Sequence, residues 1–112
     1  MARRVRYHEQ FATDLGQRVR WLQKNRPPEQ RANIALALAS FTKRVAAYPG
    51  IGQEVERRGT VSYRIRPIAD PLPYIVWYSY DTADEDGAVS LLMLLHYAQD
   101  RERFDPSRFE GE

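Results

Sequence analysis

The sequence predicts an α+β fold of the plan β-α-α-β-β-β, with an N-terminal strand and a helical hairpin packed on an antiparallel sheet. Three observations predict it. Apolar side chains alternate at period two at the start, recur at steps of three and four as far as Tyr48, and alternate again after Gly59. A Pro-Pro pair cuts the middle stretch into two helices, and turn residues punctuate the last.

Each element follows from its own pattern. Arg4-Val5-Arg6-Tyr7 alternates basic and apolar residues, as a half-buried strand does. Phe11, Leu15, Val19 and Leu22 then form one stripe of an amphipathic helix, with Gln17, Arg18, Arg20 and Lys24 mostly off it. Pro27 disfavours helical dihedrals at the residue before it and so ends this helix. Pro28 suits the first turn of the next, where its missing N–H does no harm. Ile34, Leu38, Phe41, Val45 and Tyr48 form the stripe of that second helix, which Pro49-Gly50 stops. The short Pro-containing turn predicts an αα-hairpin.

Beyond Gly59, Val61, Tyr63 and Ile65 face one way and Ser62, Arg64 and Arg66 the other. Arg57 and Arg58 lie just upstream, in the connection. Asp70-Pro71-Leu72-Pro73 reads as a turn. The aromatic and β-branched run from Tyr74 to Tyr80 predicts a strand covered on both faces. Residues 81–87 form an acidic loop, and Val89 to His96 an apolar strand suited to mid-sheet. A domain over residues 3–101 and a charged tail over 102–112, anchored only by Phe104 and Phe109, complete the division.

Composition bounds the chemistry. The 112 residues suffice for one core and no more. Without cysteine there is no disulfide framework and no thiol nucleophile. Two widely separated histidines make a structural metal site a poor fit, and no cofactor motif is complete. Gly50-Ile51-Gly52 lacks the third glycine of a dinucleotide fingerprint, and the acidic loop fails as a calcium loop because Met93 stands where its closing glutamate belongs. No apolar run approaches the roughly 20 residues of a membrane span, and no apolar segment of a signal peptide follows Arg3-Arg4. The expectation is a soluble, cytoplasmic protein without membrane contact.

Charge is divided along the chain. Residues 1–80 carry fourteen basic against six acidic side chains, and residues 81–112 carry three against nine. All the basic residues but Lys24 and Lys43 are arginine, whose fork suits phosphate or carboxylate. An anionic partner accounts for this, and so does a codon bias toward arginine. Arg57, Arg58, Arg64 and Arg66 fall within ten residues. They fit a phosphate grip, or the solvated outer face of a strand. His96 and Tyr97, ending the last strand, fit acid–base chemistry or a satisfied structural role.

Four segments carry a resemblance. They are the opening strand with Phe11-x-x-x-Leu15, then Tyr48-Pro49-Gly50-Ile51-Gly52, then Tyr63-Arg64-Ile65-Arg66 ahead of Tyr74-Ile75-Val76-Trp77-Tyr78, and last Leu94-Leu95-His96-Tyr97-Ala98-Gln99-Asp100-Arg101. In order and spacing the chain resembles the RelE/ParE superfamily of bacterial type II toxins. That resemblance implies a toxin neutralised by a cognate antitoxin, in a hetero-oligomer, through an acidic or amphipathic segment docking on the helical hairpin and sheet. The RelE-like branch cleaves ribosome-bound mRNA, and would make Arg64, Arg66, His96 and Tyr97 catalytic. The ParE-like branch poisons DNA gyrase without a nuclease centre. Arg57, Arg58 and Arg101 would be phosphate or target contacts. The RelE-like pattern has an arginine where this chain has Ile75, while His96 and Asp100 match the ParE-like ending His-x-x-Arg-Asp except at Gln99. The resemblance therefore leans to a gyrase inhibitor, with a ribosome-dependent endonuclease and a non-toxic, antitoxin-binding member as alternatives.

Overall fold

A computed structural model describes residues 2–68 and 74–96, without the side chains of 29–33 and of His96. The turn expected at Asp70-Pro71-Leu72-Pro73 and the tail, with Phe104 and Phe109, therefore lie outside the described residues. In chain order the elements are β1 (Val5–Tyr7), α1 (Glu9–Asn25), α2 (Pro28–Ala47), a single 3₁₀ turn (Pro49–Ile51), β2 (Gln53–Arg58), β3 (Val61–Ile68), β4 (Tyr74–Asp81) and β5 (Val89–His96). They form one five-stranded sheet in the order β1-β5-β4-β3-β2. β1 runs parallel to β5, and the remaining neighbours are antiparallel. The α+β plan is that expected, with β2 added.

β2 escaped the sequence because all six of its residues are exposed, so it has no apolar face to alternate. It is an edge strand, interrupted by a bulge between Glu54 and Glu56. Gly59 opens its hairpin to β3 at φ 61°, a left-handed conformation that glycine adopts without penalty.

Both helices lie on one face of the sheet. Phe11 and Leu22 of α1 and Ile34, Phe41 and Val45 of α2 pack on Tyr74, Val76, Tyr78, Val89, Leu91 and Leu94. The helical stripes are thus as expected, except at Tyr48. That residue has left the helix (φ −135°, ψ 81°), so it falls out of phase with the stripe and is 72% exposed. On the opposite face Tyr63, Ile65, Ile75, Trp77, Met93 and Leu95 form a second buried cluster. Residues 74–78 of β4 are buried throughout, as expected of a strand covered on both faces. No helix among the described residues is long and apolar enough to cross a membrane.

Because β1 has only three residues, β5 loses its parallel neighbour beyond Leu91. Backbone donors there need other partners, since an unpaired buried N–H is costly. Helix α1 supplies one. Its Asp14 accepts from Leu94 N with Oδ2 at 3.1 Å, and with Oδ1 from Gln10 Nε2 at 2.8 Å. His8 caps the start of the same helix, its Nδ1 accepting from Gln10 N at 3.0 Å. Asp14→Ala is expected to lower stability by about 1–3 kcal/mol, by stranding the Leu94 amide, and Asp14→Asn by less. Denaturant melts of the two variants check this.

Candidate functional site

Two of the arginines singled out from the sequence, Arg64 and Arg66, meet at one structural feature, the turn that returns the chain from α2 to the sheet. In register Arg64 lies opposite Tyr78, and Arg66 opposite Val76, on the face that carries the helices. Ser62 shares that face, opposite Tyr80. This is the alternation read from the sequence.

Arg64 donates from Nη1 to Gly52 O at 2.6 Å and to Gly50 O at 3.2 Å, and from Nε to Ser62 Oγ at 3.0 Å. Arg66 Nη1 reaches Ile51 O at 3.4 Å. Carbonyls of the turn and of the residue after it thus face the two guanidinium groups. Tyr78, fully buried, completes the clamp by donating its hydroxyl to Pro49 O and accepting from Gly52 N at 2.8 Å. Gly52 fits only because it has no side chain. A Cβ there would stand 2.6 Å from Ile65 O and 2.7 Å from the Tyr78 hydroxyl. Burial raises the Tyr78 pKa above the ordinary phenol value, against the Gly52 N–H and the Arg64 charge, which lower it.

The network continues to β2. Ser62 Oγ donates to Glu54 Oε1 at 2.6 Å, and Arg57 pairs with the same carboxylate at 2.9 Å. The Ser62 hydrogen bond first, and then Arg57, hold the Glu54 carboxyl below its usual range. Arg57 also reaches Thr82 Oγ1 at 3.3 Å, while Arg58 lies 3.7 Å from Glu56. Arg64 further sits 5.8 Å from the centre of the Tyr80 ring, which Arg3 approaches at 5.1 Å.

The other candidates lie apart. His96 pairs with Tyr74, which pairs with Ile68, so its backbone is about 16 Å from that of Arg64 by strand spacing and rise. Tyr97 and Arg101 are outside the described residues. Position 75 is buried on the face opposite Arg64 and Arg66. Tyr78, Ser62 and Glu54 complete the cluster and went unnoticed in the sequence. The signal for Tyr78 was a hydroxyl inside an otherwise apolar run, which needs a partner when buried.

Beside the clamp lies a shallow groove of about 190 Å³ between α2 and β3. Phe41, Ile51, Pro67 and Ile68 give it an apolar lining, and Arg44 and Arg66 border it.

A family model described as the ParE toxin of the type II toxin-antitoxin system, parDE, matches residues 5–101. The chain belongs to the ParE toxin family. The match begins at the first residue of β1 and takes in both helices and all five strands. No curated protein matches the sequence. A type II toxin has a paired antitoxin, so this ParE-family chain is one half of a two-component module.

The clamp predicts two outcomes. Tyr78→Phe leaves the Gly52 N–H and the Pro49 carbonyl without their shared partner, and should cost about 1–3 kcal/mol. Gly52→Ala forces the turn off the sheet and should cost at least as much. Both are read from denaturant melts. The raised Tyr78 pKa also has a pH signature. The unfolded chain loses this proton first, so the contribution is present below about pH 10 and fades as pH rises through the folded value. Melting temperature should fall less steeply above pH 10 in Tyr78→Phe than in the wild type, with Tyr74, raised likewise by burial, supplying the remaining slope.

Proposed function

We propose that this ParE-family toxin inhibits growth by acting on DNA gyrase through surface contacts, and that its antitoxin silences it by docking on the helical hairpin and sheet at the α2–β3 groove. The observation that carries the first half is the engagement of Arg64. Catalysis of RNA cleavage needs cationic donors aimed at developing charge. Here Nε and Nη1 of Arg64 are hydrogen-bonded within the protein, and Arg66 is turned toward Ile51 O. Isoleucine stands at position 75, and the His96 backbone is two strands away from that of Arg64. These features favour a non-catalytic toxin over a ribosome-dependent nuclease. Arg57 and Arg58, on the exposed edge strand, remain candidate target contacts.

The second half rests on the groove. An apolar lining bordered by two arginines matches an amphipathic acidic segment that folds as it binds. The neighbouring reading frame's product is the natural candidate for that segment's source.

Expression of the chain alone in bacteria is expected to cause filamentation and a DNA-damage response with transcripts intact. Purified toxin should increase cleaved DNA in a gyrase reaction. Translation arrest with codon-phased mRNA ends would instead put Arg64 and Arg66 at a nuclease centre. Harmless expression would mark an antitoxin-binding member without toxicity. Arg44→Glu reverses a charge beside the groove and should weaken antitoxin binding about tenfold, as measured by calorimetry on the purified pair.

A further inference from the structure

The face of the sheet away from the helices holds a polar depression in otherwise apolar surroundings. Its floor follows from register. Arg6 of β1 pairs with Ser90 of β5, which pairs with Ser79 of β4, so one guanidinium and two hydroxyls stand in a row across three strands. Large apolar residues fill the neighbouring part of this face, including Trp77 and Met93. The small serines leave a hollow of about 570 Å³, reaching from Ser79 and Ser90 to Arg6, Tyr7 and Glu9. An adjoining lobe of about 290 Å³ shares Arg6, Ser79 and Ser90, and adds Arg4 and Asp81.

Arg4 and Arg6 are both exposed, and neither guanidinium forms a hydrogen bond or ion pair with a described residue. The Ser79 and Ser90 hydroxyls likewise have no partner among the described residues. The two acidic groups nearby are engaged elsewhere and pair with neither arginine. Asp81 is held ionised by hydrogen bonds from Thr60 and from Ala83 N, and Glu9 sits in the first turn of α1 at the positive end of the helix dipole. Among the described residues, two guanidinium groups therefore stand unpaired over a concave surface, with the Glu9 and Asp81 carboxylates at its margins. Blunting of an edge strand accounts for arginines on β1, but not for hydroxyls on the two strands inside it.

We propose that this depression binds the phosphoryl group of a nucleotide, with Arg4 and Arg6 as forks and Ser79 and Ser90 as further donors. The forks lie two residues apart along the strand, about 7 Å, and can share one phosphoryl group or hold two in succession. One fork fills a carboxylate's two oxygens, whereas phosphate has oxygens for both forks and the hydroxyls. Arg64 and Arg66 face the other side of the sheet, so the site is separate from the turn clamp and from the α2–β3 groove.

The test is calorimetry on the full chain with adenosine monophosphate and with a ten-nucleotide single-stranded oligoadenylate. Amide shift mapping of the wild type runs beside it. Binding should move the amides of Arg6, Ser79 and Ser90. An R4Q/R6Q double variant should lose at least tenfold in affinity, while R20Q/K24Q, on the exposed side of α1, keeps wild-type binding. Saturation by the mononucleotide makes free nucleotides the source, and binding of the oligonucleotide alone makes it a single strand. The proposal fails if neither ligand binds at millimolar concentration. It fails equally if both double variants lose affinity alike, which marks general charge attraction, or if the shifts map to the helical face. Arg6→Lys keeps the charge and removes the fork. It provides a second reading should R4Q/R6Q melt early, and wild-type affinity in it would also overturn the proposal.

Discussion

The hydrogen bonds from Tyr78 and Arg64 to the turn after α2 are the constraint on which the rest of the fold depends. A phenol hydroxyl buried in an apolar core needs partners, and it finds them in the backbone of Pro49 and Gly52. Satisfying it draws the end of α2 down onto the centre of β4, where Phe41 meets the Tyr78 ring edge-on at 5.8 Å. The same contact delivers the chain to the outer side of β3, where β2 begins. Gly52 is the residue that lets backbone and ring approach this closely.

That constraint divides the labour of the arginines. Arg64 and Arg66 are turned inward onto turn carbonyls, and Arg57 is drawn into the Glu54–Ser62 chain that continues from them. The cluster thus also ties β2, β3 and the turn together. The arginines of the first strand have no such duty. They stand on the opposite face of the sheet, over small hydroxyl side chains.

Much of the fold was legible because hydropathy period is a local property. The stripes ending in Leu22 and Val45, the alternation of Val61, Tyr63 and Ile65, and the doubly covered run at Tyr74 each reflect which side of an element is dry. Strand β2 was not legible, since an exposed edge strand is held by backbone bonds that leave no mark on side-chain pattern. Tyr48 misled for a related reason. Its spacing continued the stripe after the backbone had left the helix. The family was legible in four short segments, and the match over residues 5–101 bears that reading out.

By itself the sequence determined the α+β class, the helical hairpin, the faces of β3 and β4 and the type II toxin family. Only the tertiary structure decided what each arginine does. Periodicity and turn residues act between neighbours in the chain, so they can be read in order. A guanidinium's partner is whichever acceptor the fold brings within 3 Å. For Arg64 that acceptor is a carbonyl twelve residues back in the chain, and nothing in the spacing of Arg64 and Arg66 announces it.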